Sequence, residues 1–153
     1  LRRRFGVLVG QQTAEEIKIT LGSVVPRPEE IEMAAHGRNL RTGLPVDVEV
    51  KSSDIMEALL PAATEIVEEI RGVLERTPPE LVTDISQNGI VLTGGGSLLY
   101  GMAQLVTERT RIRCAVADDA ESCVAYGLGK SLKWMNTMQE GTLNLARRKL
   151  MAE

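Results

Sequence analysis

The stretch best suited to binding chemistry is a run of three glycines, Gly94–Gly96, directly after the apolar segment Gly89–Thr93. The apolar segment predicts a buried strand, and a helix is expected to begin near Leu98. Glycine lets a ligand approach the backbone closely, and a helix N-terminus offers free N–H groups that attract anions. Nucleotides often bind at the carboxyl end of such a strand. The pattern predicts a ligand-contacting loop, although a glycine-rich tight turn would explain the same residues.

The known phosphate-binding fingerprints do not fit this loop or any other segment. The spacing G-x-G-x-x-G fails because Leu99 stands where the last glycine is required. Gly129-Lys130-Ser131 imitates the end of a Walker A loop, but Val124 occupies the position of its first glycine. That match also falls inside a predicted helix rather than after a strand, so we reject it.

The charged candidates have simple structural interpretations when spacing alone is considered. Glu15, Glu16 and Lys18 lie on one predicted helix, where Glu15 and Lys18 share a face and form a solvated pair. His36 stands alone in a predicted strand, without the partners of a catalytic site. We therefore predict a structural role for His36 and find no catalytic constellation in the sequence.

Two further groups of residues are assigned structural roles near the end of the chain. Asp118 and Asp119 are expected to cap the last helix, and Cys123 is expected to lie in the core. The basic run Arg147–Lys149 lies among leucines. Such a segment suits an anionic membrane surface, although a disordered polar tail is the simpler interpretation.

The elements that must position these residues follow from periodicity and from capping patterns. Thr13 with Glu16, and Thr77 with Glu80, form predicted capping boxes, and Pro61 should kink or split the helix that contains it. In chain order we predict a helix over 14–21, paired strands over 31–36 and 46–51, a long helix from 52, a short helix to 86, a strand over 89–93, a helix over 98–110, a strand over 112–116 and a helix over 120–138.

The second half of the chain is therefore a strand–helix–strand–helix unit typical of a layered α/β sheet. Two strands alone do not make a stable covered sheet, so we expect the remaining strands to lie outside this chain. The sequence begins with Leu1 rather than methionine, which agrees with the expectation of a fragment.

Composition excludes several classes of function. The 153 residues suit one domain, and the net charge of −3 with only 3% aromatic residues argues against nucleic-acid binding. Two cysteines and one histidine cannot form a disulfide framework or a Cys/His zinc site, which suits reduced thiols in the cytoplasm. No apolar run has the length of a membrane-spanning helix.

Five ordered blocks resemble the MreB family of bacterial actin-like proteins. The run Gly10–Lys18 (GQQTAEEIK) is similar to the family segment GExTAExIK, with Gln11 standing where glutamate is usual. The other blocks span 37–45, 77–81, 89–99 and 123–129, with Tyr126 at a variable position. The resemblance covers the chain to about residue 135.

The resemblance implies an α/β fold, namely an incomplete second lobe of an actin-like ATPase (ribonuclease H-like). Residues 1–51 would form a small outer subdomain of that lobe. Residues 52–131 would form its inner α/β subdomain with the glycine-rich nucleotide loop. Residues 132–153 would be the end of the last helix and the tail.

The resemblance also implies an ATP site with Mg. One wall would flank the adenosine with Glu15, Glu16, Ile17 and Lys18. The opposite wall would consist of Gly94, Gly95, Gly96, Ser97 and Leu98. The family's phosphate loops and magnesium-positioning residues would lie upstream, so the chain alone is not expected to hydrolyse ATP.

The implied function is that of a filament protein that maintains rod shape and directs cell-wall elongation. Its partners would be copies of itself, joined head to tail, and the membrane-associated elongation machinery. It would act in the cytoplasm, at the inner face of the cell membrane. Two alternatives stay open: another ATPase of the actin superfamily, such as a chaperone-like fragment, and an adaptor that has lost nucleotide chemistry.

Overall fold

The structure, a computed structural model, describes residues 1–135. Both helices and strands are distributed along these residues. In order they are α1 (Arg2–Phe5), β1 (Val7–Leu8), α2 (Gln11–Leu21), β2 (Glu32–Asn39), β3 (Pro45–Lys51), α3 (Ser52–Arg76), α4 (Pro79–Asn88), β4 (Ile90–Leu92), a 3₁₀ turn (Gly95–Leu98), α5 (Met102–Thr110), β5 (Cys114–Val116) and α6 (Cys123–Met135).

The first sheet is antiparallel, in the order β1-β2-β3, and it contains the predicted hairpin. Strand β2 continues to Asn39, three residues beyond the end predicted at residue 36. It stays extended there because Gly37 lies against β1, where a Cβ would collide with Val7. The chain reverses at Gly43, whose φ is +75°, and the Asn39 side chain accepts the Thr42 N–H at 3.1 Å.

The second sheet consists of β4 and β5, paired in parallel with Ile90 opposite Cys114. Helices α3 and α5 pack against it through one buried cluster. The members of that cluster are Val24, Val25, Ala63, Val67, Met102, Leu105 and Val106. On the sheet itself, Val91 is 64% exposed and Val116 is 36% exposed. These two strands therefore keep apolar side chains in contact with solvent.

A second buried cluster joins α2 to the antiparallel sheet. It consists of Ile17, Leu21, Ala35 and Val50, and Ile55 from α3 packs against it. Residues before and after position 51 therefore pack in the same apolar cluster. The subdomain division at residue 51 stays a prediction, and the tail beyond 135 lies outside the described residues.

Of the kink or split predicted at Pro61, the split is wrong, since α3 runs without interruption through 25 residues. Ala63 and Val67, just after the proline, are buried in the core. Tertiary packing of this face outweighs the local cost of proline. Ser52 begins the helix without capping it, because its hydroxyl accepts the Ile31 N–H at 3.3 Å.

Both predicted threonine capping boxes are also wrong. Helix α2 begins at Gln11, with Gly10 at its N-cap, so Thr13 already lies inside the first turn. Thr77 ends α3, and its hydroxyl donates to the Val73 carbonyl at 2.7 Å. Helix α4 nevertheless begins with proline, as predicted.

Candidate functional site

The glycine run forms a compact loop between β4 and β5. Gly94 adopts φ +83° and its N–H donates to the Ala120 carbonyl at 2.7 Å. Gly95–Leu98 then form the 3₁₀ turn. Ser97 is buried, and its hydroxyl donates to the Gly94 carbonyl at 2.6 Å. The Ser97 hydroxyl thus stabilises the loop, and Leu98 is 55% exposed at its end.

The helix expected directly after the glycines begins four residues later, at Met102. The prediction of a start near Leu98 is wrong because Tyr100 pairs with the backbone of another segment. Its N–H donates to the Gly22 carbonyl at 3.2 Å, and its carbonyl accepts the Val24 N–H at 2.9 Å. The helix N-terminus that was expected to offer free N–H groups beside the glycines therefore lies at Met102.

Two of the three glycines have no structural requirement for glycine. Only Gly94 has a positive φ. A Cβ on Gly96 would meet nothing within 4 Å, and a Cβ on Gly95 would meet only the flexible Glu121 carboxylate, at 3.2 Å. The backbone of Gly95 and Gly96 is therefore open to direct contact with a flat ligand.

Helix α2 carries the other predicted wall. Glu15 and Glu16 are exposed, and Lys18 pairs with Glu15 at 2.5 Å. Together with neighbouring residues of α2, the two glutamates line an open groove of about 840 Å³. Ile17 is only 2% exposed and belongs to the core cluster beneath α2. The structure therefore presents the three charged residues to solvent and directs Ile17 into the interior.

The segments that follow the two walls meet just beyond the end of α2. The segment Gly22–Val24 hydrogen-bonds with Tyr100 through a parallel bridge. A Cβ on Gly22 would lie 2.7 Å from the Leu99 side chain, so little space separates the two segments here. Lys18 lies one turn before this contact, because its carbonyl accepts the Gly22 N–H at 2.9 Å. The fold thus brings together two segments that lie far apart in the sequence.

One carboxylate beside the glycine loop was not among the predicted site residues. Glu121 follows β5, and its Oε1 lies 3.2 Å from the position of a Gly95 Cβ. Its location after the carboxyl end of a parallel strand is the feature of the sequence that could have identified it. The neighbouring Asp119, expected to cap α6, instead accepts the Cys123 N–H through its backbone carbonyl, at 2.9 Å.

The remaining candidates lie away from the loop or have local partners. His36 pairs with Asp47 at 2.5 Å across the hairpin, and this hydrogen bond raises the pKa of the exposed imidazole, with a further contribution from the carboxylate charge. Cys123 is half-buried and donates to the Ala120 carbonyl at 3.4 Å. Burial raises the pKa of the Cys114 thiol.

Residues 1–135 contain no group of three His, Cys, Asp or Glu side chains placed to hold a metal ion. Over the same residues, no helix combines the length and apolar character needed to cross a membrane.

Comparison with known proteins gives a consistent result. The family model described as MreB/Mbl protein matches residues 1–140. The cell shape-determining protein MreB of Escherichia coli K12 is 45% identical over 136 residues, which are 89% of this chain and 39% of that protein. The cell shape-determining protein Mbl of Bacillus cereus is 41% identical over 143 residues, covering 94% of this chain and 43% of Mbl. The chain therefore spans about two fifths of the length of these relatives.

Solved structures give the same result for the fold. MreB5 of Spiroplasma citri bound to AMPPNP superposes with a TM-score of 0.84 at 33% identity, over 89% of this chain and 41% of that chain. A MamK double helical filament superposes with a TM-score of 0.63 at 25% identity, over 79% and 37% of the two chains. The mixed α/β fold is thus the partial fold of an actin-like ATPase, as the sequence predicts.

Proposed function

The chain belongs to the MreB/Mbl family, and on that premise we propose that it forms one wall of an ATP-binding cleft in an actin-like filament protein. That protein would maintain rod shape and direct cell-wall elongation. The observation that carries the proposal is the open backbone of Gly95 and Gly96. It is supported by the AMPPNP described for the similar MreB5 structure.

The side chains around the loop suit the nucleoside end of ATP. Glu15, Glu16 and Glu121 are exposed carboxylates, which accept hydrogen bonds from ribose hydroxyls or from an exocyclic amine. Carboxylates repel phosphate groups, since like charges disfavour one another. A purine or ribose packed on Gly95 and Gly96 would avoid the collision that a Cβ would cause. We therefore place the nucleoside against this chain and the phosphates farther from it.

The phosphates and Mg would be held by residues outside the described chain. Magnesium prefers carboxylate and phosphate oxygens arranged octahedrally, and residues 1–135 provide no cluster of three such side chains. When bound, Mg–ATP would supply the phosphoryl group and the charge neutralisation needed for hydrolysis. The role that we propose for this chain is to bind and orient the nucleoside.

We also propose that the complete protein assembles with copies of itself. The similar MamK structure is a double helical filament, and a head-to-tail interface that does not close produces such assemblies. Exposed apolar side chains support contact with further protein. Val91 on β4 and the residues Val124 and Leu128, four apart on α6, are each at least 59% exposed, and contiguous exposed apolar surface marks interaction sites. The site of action would be the cytoplasm at the inner membrane face, with the elongation machinery as partner.

An Mg–ATP titration tests the proposal. The chain would be titrated alone and after mixing with the separately produced amino-terminal lobe of Escherichia coli MreB. We expect calorimetric binding in the mixture and little or none with either part alone. Absence of binding in every sample, with the chain stably folded as a monomer, would favour an adaptor without nucleotide chemistry. Nucleotide binding that is coupled to capture of unfolded peptides would favour the chaperone-like alternative.

A further inference from the structure

The segment Gly22–Val24 pairs with Tyr100, and we call this pairing the seam. One arginine contacts both sides of the seam. Arg27 follows the paired segment Gly22–Val24, and its Nη2 donates to the Gly22 carbonyl at 3.2 Å. Its guanidinium carbon lies 4.4 Å from the centre of the Tyr100 ring. Arg27 therefore contacts both strands of the seam, one through a hydrogen bond and the other through a ring face.

The Gly22 carbonyl is the point at which these contacts meet. It accepts the Tyr100 N–H and the Arg27 guanidinium, each at 3.2 Å. The Tyr100 carbonyl in turn accepts a hydrogen bond from the Val24 N–H at 2.9 Å. Arg27 thus closes a small network in which its cation is held by a carbonyl and an aromatic face. Both are recognised partners of a guanidinium.

The environment of Arg27 is unusual for a surface cation. Among the described residues it forms no ion pair with a carboxylate, and its Nε is buried without a hydrogen-bond partner. Burying an unsatisfied donor is unfavourable, so the stacking and the Gly22 contact must offset that cost. An arginine that served only solubility would extend into water instead.

We propose that Arg27 is a positioning residue for the nucleotide site. It holds the end of α2 against Tyr100 and so fixes the distance between Glu15–Lys18 and the glycine loop. This inference rests on the proposed function, because the geometry it maintains is that of the two nucleoside-binding walls. Arg27 itself does not contact the ligand.

The test compares variants of the chain mixed with the amino-terminal lobe of Escherichia coli MreB. The variants are Arg27→Ala, Arg27→Lys and Tyr100→Phe. Arg71→Ala is a matched control, because Arg71 is an exposed arginine whose one ion pair within residues 1–135 is with Glu68. One readout is the dissociation constant of a fluorescent ATP analogue. The other is hydrogen exchange at the Val24 and Tyr100 amides, measured on the chain alone.

We expect Arg27→Ala to weaken nucleotide binding about tenfold and to accelerate exchange at the two seam amides, given the strength of cation–π contacts to a partly desolvated arginine. Arg27→Lys should be intermediate, since lysine keeps the charge and loses the planar stack. Tyr100→Phe should behave as the parent, because it retains the ring face. Arg71→Ala should change neither readout.

Two results would overturn the inference while leaving the proposed function intact, and a third would overturn both. If the parent mixture binds nucleotide and Arg27→Ala binds it equally well, Arg27 does not position the site and the proposed function stands. If exchange accelerates while affinity is unchanged, Arg27 stabilises the seam without positioning the ligand. If the parent mixture binds no nucleotide, the proposed function fails and the positioning role fails with it. If Arg27→Ala does not fold, the nucleotide affinity of Arg27→Lys is the test, and an affinity equal to that of the parent would overturn the inference.

Discussion

Replacing Gly96 with alanine separates the binding role of the glycine loop from its structural role. Gly96 has no positive φ, and an added methyl group would meet no protein atom within 4 Å. Because alanine restricts the unfolded chain, the substitution should stabilise the folded state by about 0.4–1 kcal/mol. The structure therefore predicts a variant that unfolds no more easily than the parent protein.

The same methyl group should obstruct the ligand. A nucleoside packed on the Gly96 backbone would have to move away, and an overpacked contact typically costs about 1–3 kcal/mol. At about 1.4 kcal/mol per factor of ten, nucleotide affinity should fall about 5- to 150-fold. Stability and affinity are thus expected to change in opposite directions, which a general folding defect could not produce.

The assay combines thermal unfolding of the chain with an Mg–ATP titration of its mixture with the amino-terminal lobe of Escherichia coli MreB. Gly22→Ala is the contrasting variant, since its Cβ would collide with the Lys18 backbone carbonyl oxygen, and it should lower the melting temperature. Full nucleotide affinity in a folded Gly96→Ala variant would refute the assignment of this backbone to the ligand.

Three further predictions concern stability, pH and the missed carboxylate. Leu21 is fully buried and Ile19 is 74% exposed on the same helix, so chemical denaturation should show Leu21→Ala losing about 2–5 kcal/mol and Ile19→Ala changing stability by no more than about 0.5 kcal/mol. The pKa of His36 is raised in the folded state. Its pairing with Asp47 therefore contributes its full stabilisation at pH values below the ordinary histidine pKa, and that stabilisation is lost as the pH rises through the pKa of the folded state. An NMR titration should show a lower His36 pKa in Asp47→Asn than in the parent. Glu121→Gln should weaken nucleotide binding in the mixture about tenfold, in line with the loss of a charge-assisted hydrogen bond, and an unchanged dissociation constant would remove Glu121 from the site.

Local patterns predicted the elements whose causes lie within a few residues. The alternation of Val46, Val48 and Val50 gave the hairpin strand correctly. The apolar run before Gly94 gave β4, and proline at the start of α4 marked that helix correctly. In each case the periodicity or the backbone chemistry of the segment itself is sufficient.

The errors occur where a distant segment decides the structure. The strand predicted over 31–36 ends too early, because the contact of Gly37 with β1 cannot be inferred from its sequence neighbours. The helix after the glycines was placed too early because Tyr100 is needed to pair with Gly22 and Val24. Thr13 satisfied a local capping pattern, yet the helix had already begun at Gln11.

The site was predictable in part for the same reason. Resemblance and glycine chemistry indicated the loop and the charged residues of α2, whose roles stay proposals. Glu121 and the Arg27–Tyr100 contact escaped prediction, since each depends on how separate segments pack. Ile17 was included with its neighbours, although helical geometry directs it into the core.

The most direct test of the account is an NMR titration of the isotopically labelled chain, mixed with the unlabelled amino-terminal lobe, with Mg–ATP. We expect the Gly95 and Gly96 amide resonances to shift with the nucleotide concentration, while the Gly43 amide at the hairpin turn stays in place. Saturable nucleotide binding with no shift at Gly95 and Gly96 would contradict the claim that this open backbone is the nucleoside-binding wall.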